Sequence, residues 1–387
     1  MSDSLRVVGA MVGEIHRQAD MSIKYGKLFQ AVEERFDLIN VFDASLTGMP
    51  KYWNAIRTFT PSLSRWKERF FKNPKVFQAR SRRAKQYFHS LQGKVDVVLQ
   101  LGALFDGTQA DGSPPVVLYT DNTTAISARH ANAGRFPFSE GDLVDWLSYE
   151  TNLYKCVEHI CVRANIVKRS LISDYGISEE RISVIGGGVN FPTLPEFELV
   201  KPGLDFTLLF IGTDFYRKGG DLVLKAFSVV HKLYPESRLI MVTRDDIPVS
   251  LPREGVIVLE PIWERTKLEA LYRQADAFIL PSRMETWGDV LLEAMSYGLP
   301  CIGVYGQAME DIIVNGESGY LLNPDNIELL ARSIIQLLEQ PELRLRMGQV
   351  ARRLVTTKYT WEQVVERLAP ILYASARKIP YSSLTPQ

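Results

Sequence analysis

The stretch Glu285-Thr286-Trp287-Gly288-Asp289-Val290-Leu291-Leu292-Glu293 places two carboxylates eight positions apart, where a strand gives way to a helix. The apolar run and breaker at 277–281 precede it, and an apolar helical run follows. Glu285 is therefore predicted on the loop at the carboxyl end of a strand, and Glu293 in the first turns of the helix. Between them Gly288 lets a ligand approach the backbone, and the free N–H groups of a helix start suit a diphosphate.

Two carboxylates at such a junction have two interpretations. As isolated residues, Glu285 and Glu293 would be a helix cap and a solvated surface residue. Around a ligand pocket they would accept charge-assisted hydrogen bonds from sugar or ribose hydroxyls. The buried strand predicted at 206–212 favours the pocket, because it leads into Arg217 and Lys218 and so brings cations to the carboxyl end of a second strand.

These segments resemble the retaining glycosyltransferases of family four, which have the GT-B fold. The family's two glutamates, separated by seven residues, match Glu285 and Glu293. Its lysine before a glycine matches Lys218, and its Gly-x-Pro element before a strand matches 298–300. The resemblance covers about residues 203–360 and is faint in the first 150 residues. It implies an α/β chain of the GT-B type, with two Rossmann-like domains facing each other across a cleft.

The resemblance also implies roles for individual residues. Glu285 would contact the donor sugar, Lys218 with help from Arg217 would neutralise the leaving diphosphate, and these three would be the catalytic residues. Glu293 would bind the ribose. The other residues predicted to line the donor site are Trp287, Gly288, Asp289, Gly212 and Gly13.

The phosphate-binding residues depart from the family at one position. Many members have an arginine directly after the glycine that matches Gly212, and this chain has Thr213 there. Arg217 could supply the missing charge. However, adjacent side chains on an opening helix point in different directions, so Lys218 is the stronger candidate.

The first domain departs most from the family and is predicted to carry the acceptor site. Gly13 follows the opening strand, where it would let the backbone approach the donor or simply complete a turn. Asp121 lies where the family often has a histidine after a middle strand; it would bind an acceptor hydroxyl or form an Asx turn. His130 is a further candidate, in a run that is also typical of a surface loop.

The most distinctive part of the first domain is the segment 51–90. It contains eleven Lys or Arg and nine aromatic residues but a single acid, Glu68, within a chain of formal net charge zero. A solvated pair of helices would use basic side chains to cover an aromatic core, whereas an in-plane membrane helix or a nucleic-acid surface would use the same composition to bind an anionic partner. The sugar-transfer motifs favour an anionic membrane surface, and no nucleic acid is expected as a partner. The residues of its densest basic cluster are expected to face solvent: Arg80, Arg82, Arg83 and Lys85.

Length and hydrophobic patterning predict the domain layout. The 387 residues fit two domains, and apolar runs alternate with amphipathic ones, as in βα units around a parallel sheet. We predict an N-terminal domain over 1–190, a proline-containing linker over 191–202 and a C-terminal nucleotide-sugar-binding domain over 203–360. By the resemblance, a last helix at about 361–376 would cross back onto the first domain.

Three cysteines in or beside apolar runs indicate structural thiols rather than a disulfide or metal framework. The chain has no Asp-x-Asp triplet, so we expect neither a metal site nor a cofactor besides the donor substrate. The amino terminus lacks the pattern of a signal peptide, and no apolar stretch reaches the ~18 residues of a spanning helix. The expected location is cytoplasmic, either free or peripheral on the inner membrane face.

The sequence therefore predicts a retaining, metal-independent, hexosyltransferase-like enzyme that moves a sugar from a nucleotide-diphosphate sugar to an unidentified acceptor. On the membrane interpretation, that acceptor is a lipid or a membrane-associated glycan. Two alternatives remain open, because a fold alone does not fix a function. One is a nucleotide-sugar epimerase or hydrolase of the same fold. The other is a non-catalytic module that binds membrane or nucleic acid.

Overall fold

The structure of the protein is a computed structural model. It describes residues 4–13, 19–108, 112–130, 136–191, 194–196, 206–244 and 246–379. The chain divides into two compact units, one of Met1–Gly188 with Trp361–Gln387 and one of Val189–Thr360. Most of the predicted linker, 191–202, lies outside the described residues.

The first unit is built on a parallel six-stranded sheet of order β2-β1-β3-β4-β5-β6. Its inner strands are almost continuously apolar because helices cover parallel sheets on both faces. The strands are β1 (Arg6–Met11), β2 (Asp37–Asp43), β3 (Val97–Leu101), β4 (Val116–Thr120), β5 (His159–Val162) and β6 (Ile182–Val184). The helices described in this unit are α1 (Ala19–Arg35), α2 (Gly48–Arg57), α3 (Leu63–Phe71), α4 (Pro74–Ser90), α5 (Thr124–Arg129), α6 (Glu140–Cys156), α7 (Asn165–Tyr175) and α14 (Trp361–Arg377).

Helix α14 completes the core of the first unit, although it follows the whole second unit in sequence. Its buried face joins the cluster formed by α1 and strands β1 and β3. Trp361 begins the helix against Gly188, where an added Cβ would lie 2.5 Å from the indole ring. The side chain of Arg163 lies over the same ring. The absence of a side chain at Gly188 therefore lets α14 dock.

The second unit repeats the same architecture with the order β12-β11-β10-β7-β8-β9, again all parallel. Its strands are β7 (Thr207–Ile211), β8 (Arg238–Val242), β9 (Val256–Leu259), β10 (Ala277–Ile279), β11 (Cys301–Val304) and β12 (Gly319–Leu322). Its described helices are α8 (Gly220–Leu233), α9 (Arg265–Gln274), α10 (Asp289–Ser296), α11 (Met309–Ile312), α12 (Ile327–Glu339) and α13 (Pro341–Lys358). Two parallel sheets covered by helices confirm the predicted α/β class.

Each sheet has a point where the strand order reverses, between β1 and β3 in the first and between β7 and β10 in the second. Loops that leave the carboxyl ends of these two strands diverge to opposite sides and open a crevice, which is where α/β sheets bind ligands. No helix in the described ranges is both long enough and apolar enough to cross a membrane.

Candidate functional site

The carboxyl ends of β7 and β10 bring together Lys218 and Glu285, which are 67 positions apart in the chain. The Lys218 Nζ donates a hydrogen bond to the Glu285 Oε2. The two side chains are only 14% and 10% exposed, so the ion pair is largely removed from water. Two predicted catalytic residues therefore meet at the switch point of the second sheet.

Glycines let the two loops approach each other. At Gly212, an added Cβ would lie 2.8 Å from the Lys218 Cβ and 3.0 Å from its Cγ, so the lysine stem lies directly over this position. At Gly219 the backbone has φ of +77°, and an added Cβ would lie 2.3 Å from the Pro281 carbonyl oxygen. Only glycine fits both requirements at that turn.

Arg217 is held by Asp214 and by the backbone of the loop that carries Glu285. Its Nε donates to the Asp214 Oδ2 at 2.7 Å, and its NH1 donates to the Met284 carbonyl oxygen at 3.1 Å. The Arg283 N–H returns a hydrogen bond of 2.8 Å to the Arg217 carbonyl oxygen. A phosphate bound by Arg217 would therefore compete with Asp214, and its phosphate-binding role stays a prediction.

Arg283 is a residue that the sequence analysis missed. Its NH1 and NH2 donate to the two carboxylate oxygens of Asp221 at 2.7 and 3.0 Å, and its NH1 also donates to the Tyr216 carbonyl oxygen at 2.7 Å. This bidentate pair fastens the loop after β10 to the start of α8. No local motif marks it, because Arg283 and Asp221 are 62 positions apart.

Residues that follow strand β11 also hold the backbone around Glu285 in place. The Glu285 N–H donates to the Gln307 Oε1 at 2.8 Å, and the Ala308 N–H donates to the Glu285 carbonyl oxygen at 3.0 Å. Gly288 has φ of +97°, and an added Cβ there would lie 3.6 Å from the Glu285 Cγ. The start of α10 therefore lies beside the carboxylate. Trp287 is buried, and its ring lies edge-on to that of Tyr359.

Glu293 lies just over one turn into α10, and two residues of α9 contact its carboxylate. The Tyr272 hydroxyl donates to its Oε2 at 2.9 Å, and the Arg265 NH1 donates to its Oε1 at 3.4 Å. Burial raises the pKa of the Glu293 carboxyl, against the lowering effect of Arg265, and the nearby charge of Asp289 adds to the rise. Tyr272 and Arg265 are further residues of this site that the sequence analysis did not single out.

Two buried hydroxyls lie at the same edge of the sheet. Ser282 follows β10 and Thr243 follows β8, on either side of β7. Within the described residues, neither side-chain oxygen has a hydrogen-bond partner, although both are almost completely buried. Because buried hydroxyls are normally paired, these two are suited to meet a polar ligand.

The first unit has a pocket of about 220 Å³ at the carboxyl ends of β1, β3 and β4. Asp121 and Lys72 line it, together with the buried Glu150. Glu150 accepts hydrogen bonds from the Thr124 hydroxyl at 2.7 Å and the Trp146 indole at 3.0 Å. The predicted acceptor residue Asp121 therefore lines a concave site that combines apolar side chains with a few polar groups.

The other two candidates of the first unit are placed differently. Gly13 has φ of +106°, and its N–H donates to the Asp43 Oδ1 at 2.8 Å and to the Ser45 Oγ at 3.0 Å. His130 lies at the C-terminal end of α5, outside the residues that line the pocket. Burial, together with the charge of Arg129, lowers the pKa of His130.

Comparison with known proteins identifies the family. Residues 195–354 match the family described as Glycosyl transferases group 1. A glycogen synthase from Mycobacterium tuberculosis is 26% identical over 211 residues, which cover 52% of this chain and 51% of that protein. The chain thus spans about half the length of this curated relative.

Solved structures show the same fold over nearly the whole chain. Sucrose-phosphate synthase from Thermosynechococcus elongatus superposes with a TM-score of 0.64 at 16% identity, covering 96% of this chain and all of that one. HepE from Anabaena, solved in complex with UDP, gives a TM-score of 0.65 at 15% identity with the same coverage. Lys218, Glu285 and Glu293 lie within the matched range. The resemblance drawn from the sequence is thereby confirmed: residues 195–354 match the group 1 glycosyltransferases, and the chain has the GT-B fold of these solved structures.

Proposed function

We propose that this chain transfers a sugar from a nucleotide-diphosphate sugar to a hydroxylated acceptor, with retention of the anomeric configuration and without a metal ion. The observation that supports this most directly is the Lys218–Glu285 pair at the carboxyl ends of β7 and β10. A leaving diphosphate needs the cation, and a sugar that develops positive charge needs the carboxylate.

Lys218 is the proposed partner of the leaving diphosphate. It carries a full positive charge, and the N-terminal end of α10 beside Glu285 adds the positive end of a helix dipole. A diphosphate that approaches Lys218 competes with Glu285 for the ammonium group. These two sources of positive charge take the place that a divalent cation has in metal-dependent enzymes.

Glu285 is the proposed partner of the donor sugar. Once the diphosphate engages Lys218, the carboxylate is released to accept hydrogen bonds from sugar hydroxyls. As the bond to the diphosphate breaks, the sugar carbon becomes positively charged, and the carboxylate stabilises that charge more than it stabilises the bound donor. Only this difference between transition state and ground state accelerates the reaction.

Glu293 is the proposed ribose ligand, with Tyr272 and Arg265 fixing the direction of its carboxylate. HepE, whose structure contains UDP, supports a uridine nucleotide as the first donor to test. On the acceptor side, the pocket that contains Asp121 and Lys72 offers both an acceptor and a donor of hydrogen bonds to a hydroxylated molecule.

The test is to incubate the protein with nucleotide sugars, with and without a panel of hydroxylated acceptors, and to determine the product and its anomeric configuration by NMR. We expect transfer with retention. Release of free sugar alone would instead assign a hydrolase, and a changed sugar in an intact donor would assign an epimerase. Absence of both nucleotide binding and turnover would leave only a non-catalytic module.

The same assay with a chelator tests the metal-free chemistry. Most of the activity should remain when EDTA is added, since Lys218 supplies the neutralising charge. Activity that disappears in EDTA and returns with magnesium or manganese would contradict this part of the proposal.

A further inference from the structure

Helix α2 turns its apolar face to solvent. Met49, Tyr52, Trp53 and Ile56 follow the i, i+3, i+4, i+7 spacing of a single helix face, and each is between 63% and 68% exposed. The only buried residue of the helix is the polar Asn54, at 5% exposure. In an ordinary surface helix the apolar face meets the core and the polar face meets water, so this orientation is the reverse.

The exposed face continues into the connection to α3, where Phe59 and Leu63 are 65% and 59% exposed. We call these six residues the docking face: Met49, Tyr52, Trp53, Ile56, Phe59 and Leu63. Specific polar contacts hold α2 against α3. The Asn54 Nδ2 donates to the Phe70 carbonyl oxygen at 2.9 Å. The Trp66 indole likewise donates to the Ala55 carbonyl oxygen at 3.0 Å. The apolar face is thus presented by an anchored structure.

Helices α2 and α3 and the start of α4 carry exposed cations close in sequence to the docking face. The side chains of Lys51, Arg65, Lys67 and Lys75 are exposed, and none has a carboxylate within ion-pair distance in the part of the chain that the structure describes. Glu68 is the only acid between positions 51 and 90. These charges are therefore available to an anionic partner.

The structure corrects one expectation about this charge. Arg80 was expected to face solvent with its basic neighbours, but it is only 2% exposed. Its NH1 donates to the Phe71 carbonyl oxygen at 2.9 Å, its guanidinium lies over the Phe71 ring, and burial lowers its pKa to about 10. Arg80 is a structural residue of α4 and takes no part in the charged surface.

We infer that the docking face inserts into the interfacial region of an anionic lipid bilayer, with the surrounding lysines and arginines at the level of the head groups. An in-plane helix of this kind needs a continuous apolar face with aromatic residues and a flanking set of cations. A bilayer satisfies both features at once, because its acyl boundary covers the apolar side chains and its head groups neutralise the charge. Lys72, from the same basic segment, lines the pocket that contains Asp121.

Cosedimentation with vesicles tests this inference without donor or turnover, so its outcome is independent of the proposed transfer reaction. The protein should sediment with vesicles of phosphatidylcholine and phosphatidylglycerol at low salt and much less with phosphatidylcholine alone. The double variant Trp53→Ser/Ile56→Ser should bind about tenfold more weakly or worse. Its matched control, Leu233→Ser/Val249→Ser, removes two exposed apolar side chains of the second unit and should bind as the wild type does.

The contribution of the exposed cations to vesicle binding is tested with a second set of variants. Lys51→Glu/Arg65→Glu/Lys67→Glu should abolish binding to the anionic vesicles, and high salt should release the wild-type protein because screening shortens the electrostatic range to about 3 Å at 1 M. The control reverses three exposed cations of the second unit, Lys225, Lys232 and Arg346. Circular dichroism and the melting temperature establish that each variant is folded.

Three outcomes would overturn the inference. The first is a wild-type protein that ignores anionic vesicles at low salt. The second is a dimer in analytical ultracentrifugation that dissociates in the Trp53→Ser/Ile56→Ser variant, which would assign the docking face to a second copy of the chain. The third is binding to duplex DNA that is far tighter than binding to the anionic vesicles.

Discussion

At the scale of single residues, the proposed chemistry depends on a buried cation and a buried carboxylate that hold each other in place. Removing one partner of such a pair leaves the other charge desolvated and unpaired, which costs more than the pair contributes. Mutation of Lys218 or Glu285 therefore has two effects. It removes the proposed catalytic group, and it leaves the partner's buried charge unpaired. The melting temperature reports the cost of the unpaired charge, and turnover of the folded variant reports the loss of the catalytic group.

The two glutamates should fail in different ways. Glu285→Gln keeps the shape and removes the charge, so turnover should fall by ~100-fold or more while the affinity for the nucleotide stays nearly unchanged. Glu293→Ala should mainly weaken nucleotide binding. Steady-state kinetics and calorimetric titration of UDP measure both effects. Equal and mild effects from both variants would remove Glu285 from the mechanism.

Turnover should also depend on Gly212, although this residue carries no functional group. In Gly212→Ala the new methyl group would lie 2.8 Å from both the Lys218 Cβ and the Phe210 Cζ, so the lysine stem must move. Because small displacements of a catalytic group are costly, turnover should fall by about 10-fold or more. Gly141→Ala is the matched control, since its methyl group meets nothing within 4 Å. A Gly212→Ala variant with wild-type turnover would show that the position of Lys218 is not critical.

At the scale of elements, the site is assembled from loops whose contacts come from their neighbours. The loop after β10 is tied to the start of α8 through Arg283 and Asp221, and to the segment after β11 through Gln307. Such loops carry the functional groups while the sheet supplies rigidity. The positions of Lys218 and Glu285 therefore depend on residues that touch neither the sugar nor the phosphate in the proposed mechanism.

The stability of the fold should depend on pH through His159, a residue of strand β5. His159 is buried beside the Ser183 hydroxyl, and burial, followed by the charge of Arg181, lowers its pKa to about 4. The folded protein keeps this imidazole neutral, while the unfolded chain takes up a proton below its ordinary pKa of about 6.5. The contribution to stability is therefore complete above about pH 6.5 and is lost as the pH falls toward 4.

Urea unfolding at pH 7 and pH 5 measures this contribution. Between these values the wild-type protein should lose about 2 kcal/mol of unfolding free energy more than His159→Gln does, by the linkage of pKa to stability. Because His159→Gln keeps every other titrating group, its loss of unfolding free energy between the two pH values is the reference for the wild-type protein. Equal losses in the two proteins would show that His159 does not titrate differently in the folded state.

At the scale of the whole molecule, the chain order does not follow the division into units. Helix α14 belongs to the first unit, and its Leu368 and Leu372 are buried among residues of β1 and β3 that precede them by more than 260 positions. The first core is therefore complete only when the end of the chain has returned to it. The second unit has its own sheet and all the predicted donor-binding residues except Gly13.

Leu368→Ala should consequently destabilise the first unit by ~2–5 kcal/mol, as core truncations do. Hydrogen exchange measured by mass spectrometry should then show faster exchange in β1 and β3 and unchanged exchange in β7 and β10. Leu345→Ala, at a half-exposed position of α13, is the control and should change neither. Faster exchange across both sheets would show that the units unfold together.

The sequence by itself determined the fold class and the positions of the central motif. Alternating apolar and amphipathic runs are local signals with the periods of strands and helices, so they predicted parallel sheets before any contact was known. The spacing from Glu285 to Glu293 and the Lys218–Gly219 pair were equally local. They sufficed for the family, and the match over residues 195–354 confirmed it.

Only the tertiary structure decided which groups meet. It paired Lys218 with Glu285, directed Arg217 to Asp214 and buried Arg80. It also turned the apolar face of α2 outward. A helical period shows that a helix has an apolar face but not which side of the helix meets the protein, and contacts between residues more than 60 positions apart leave no mark on the local pattern. Those contacts form only when the complete sheets and loops pack.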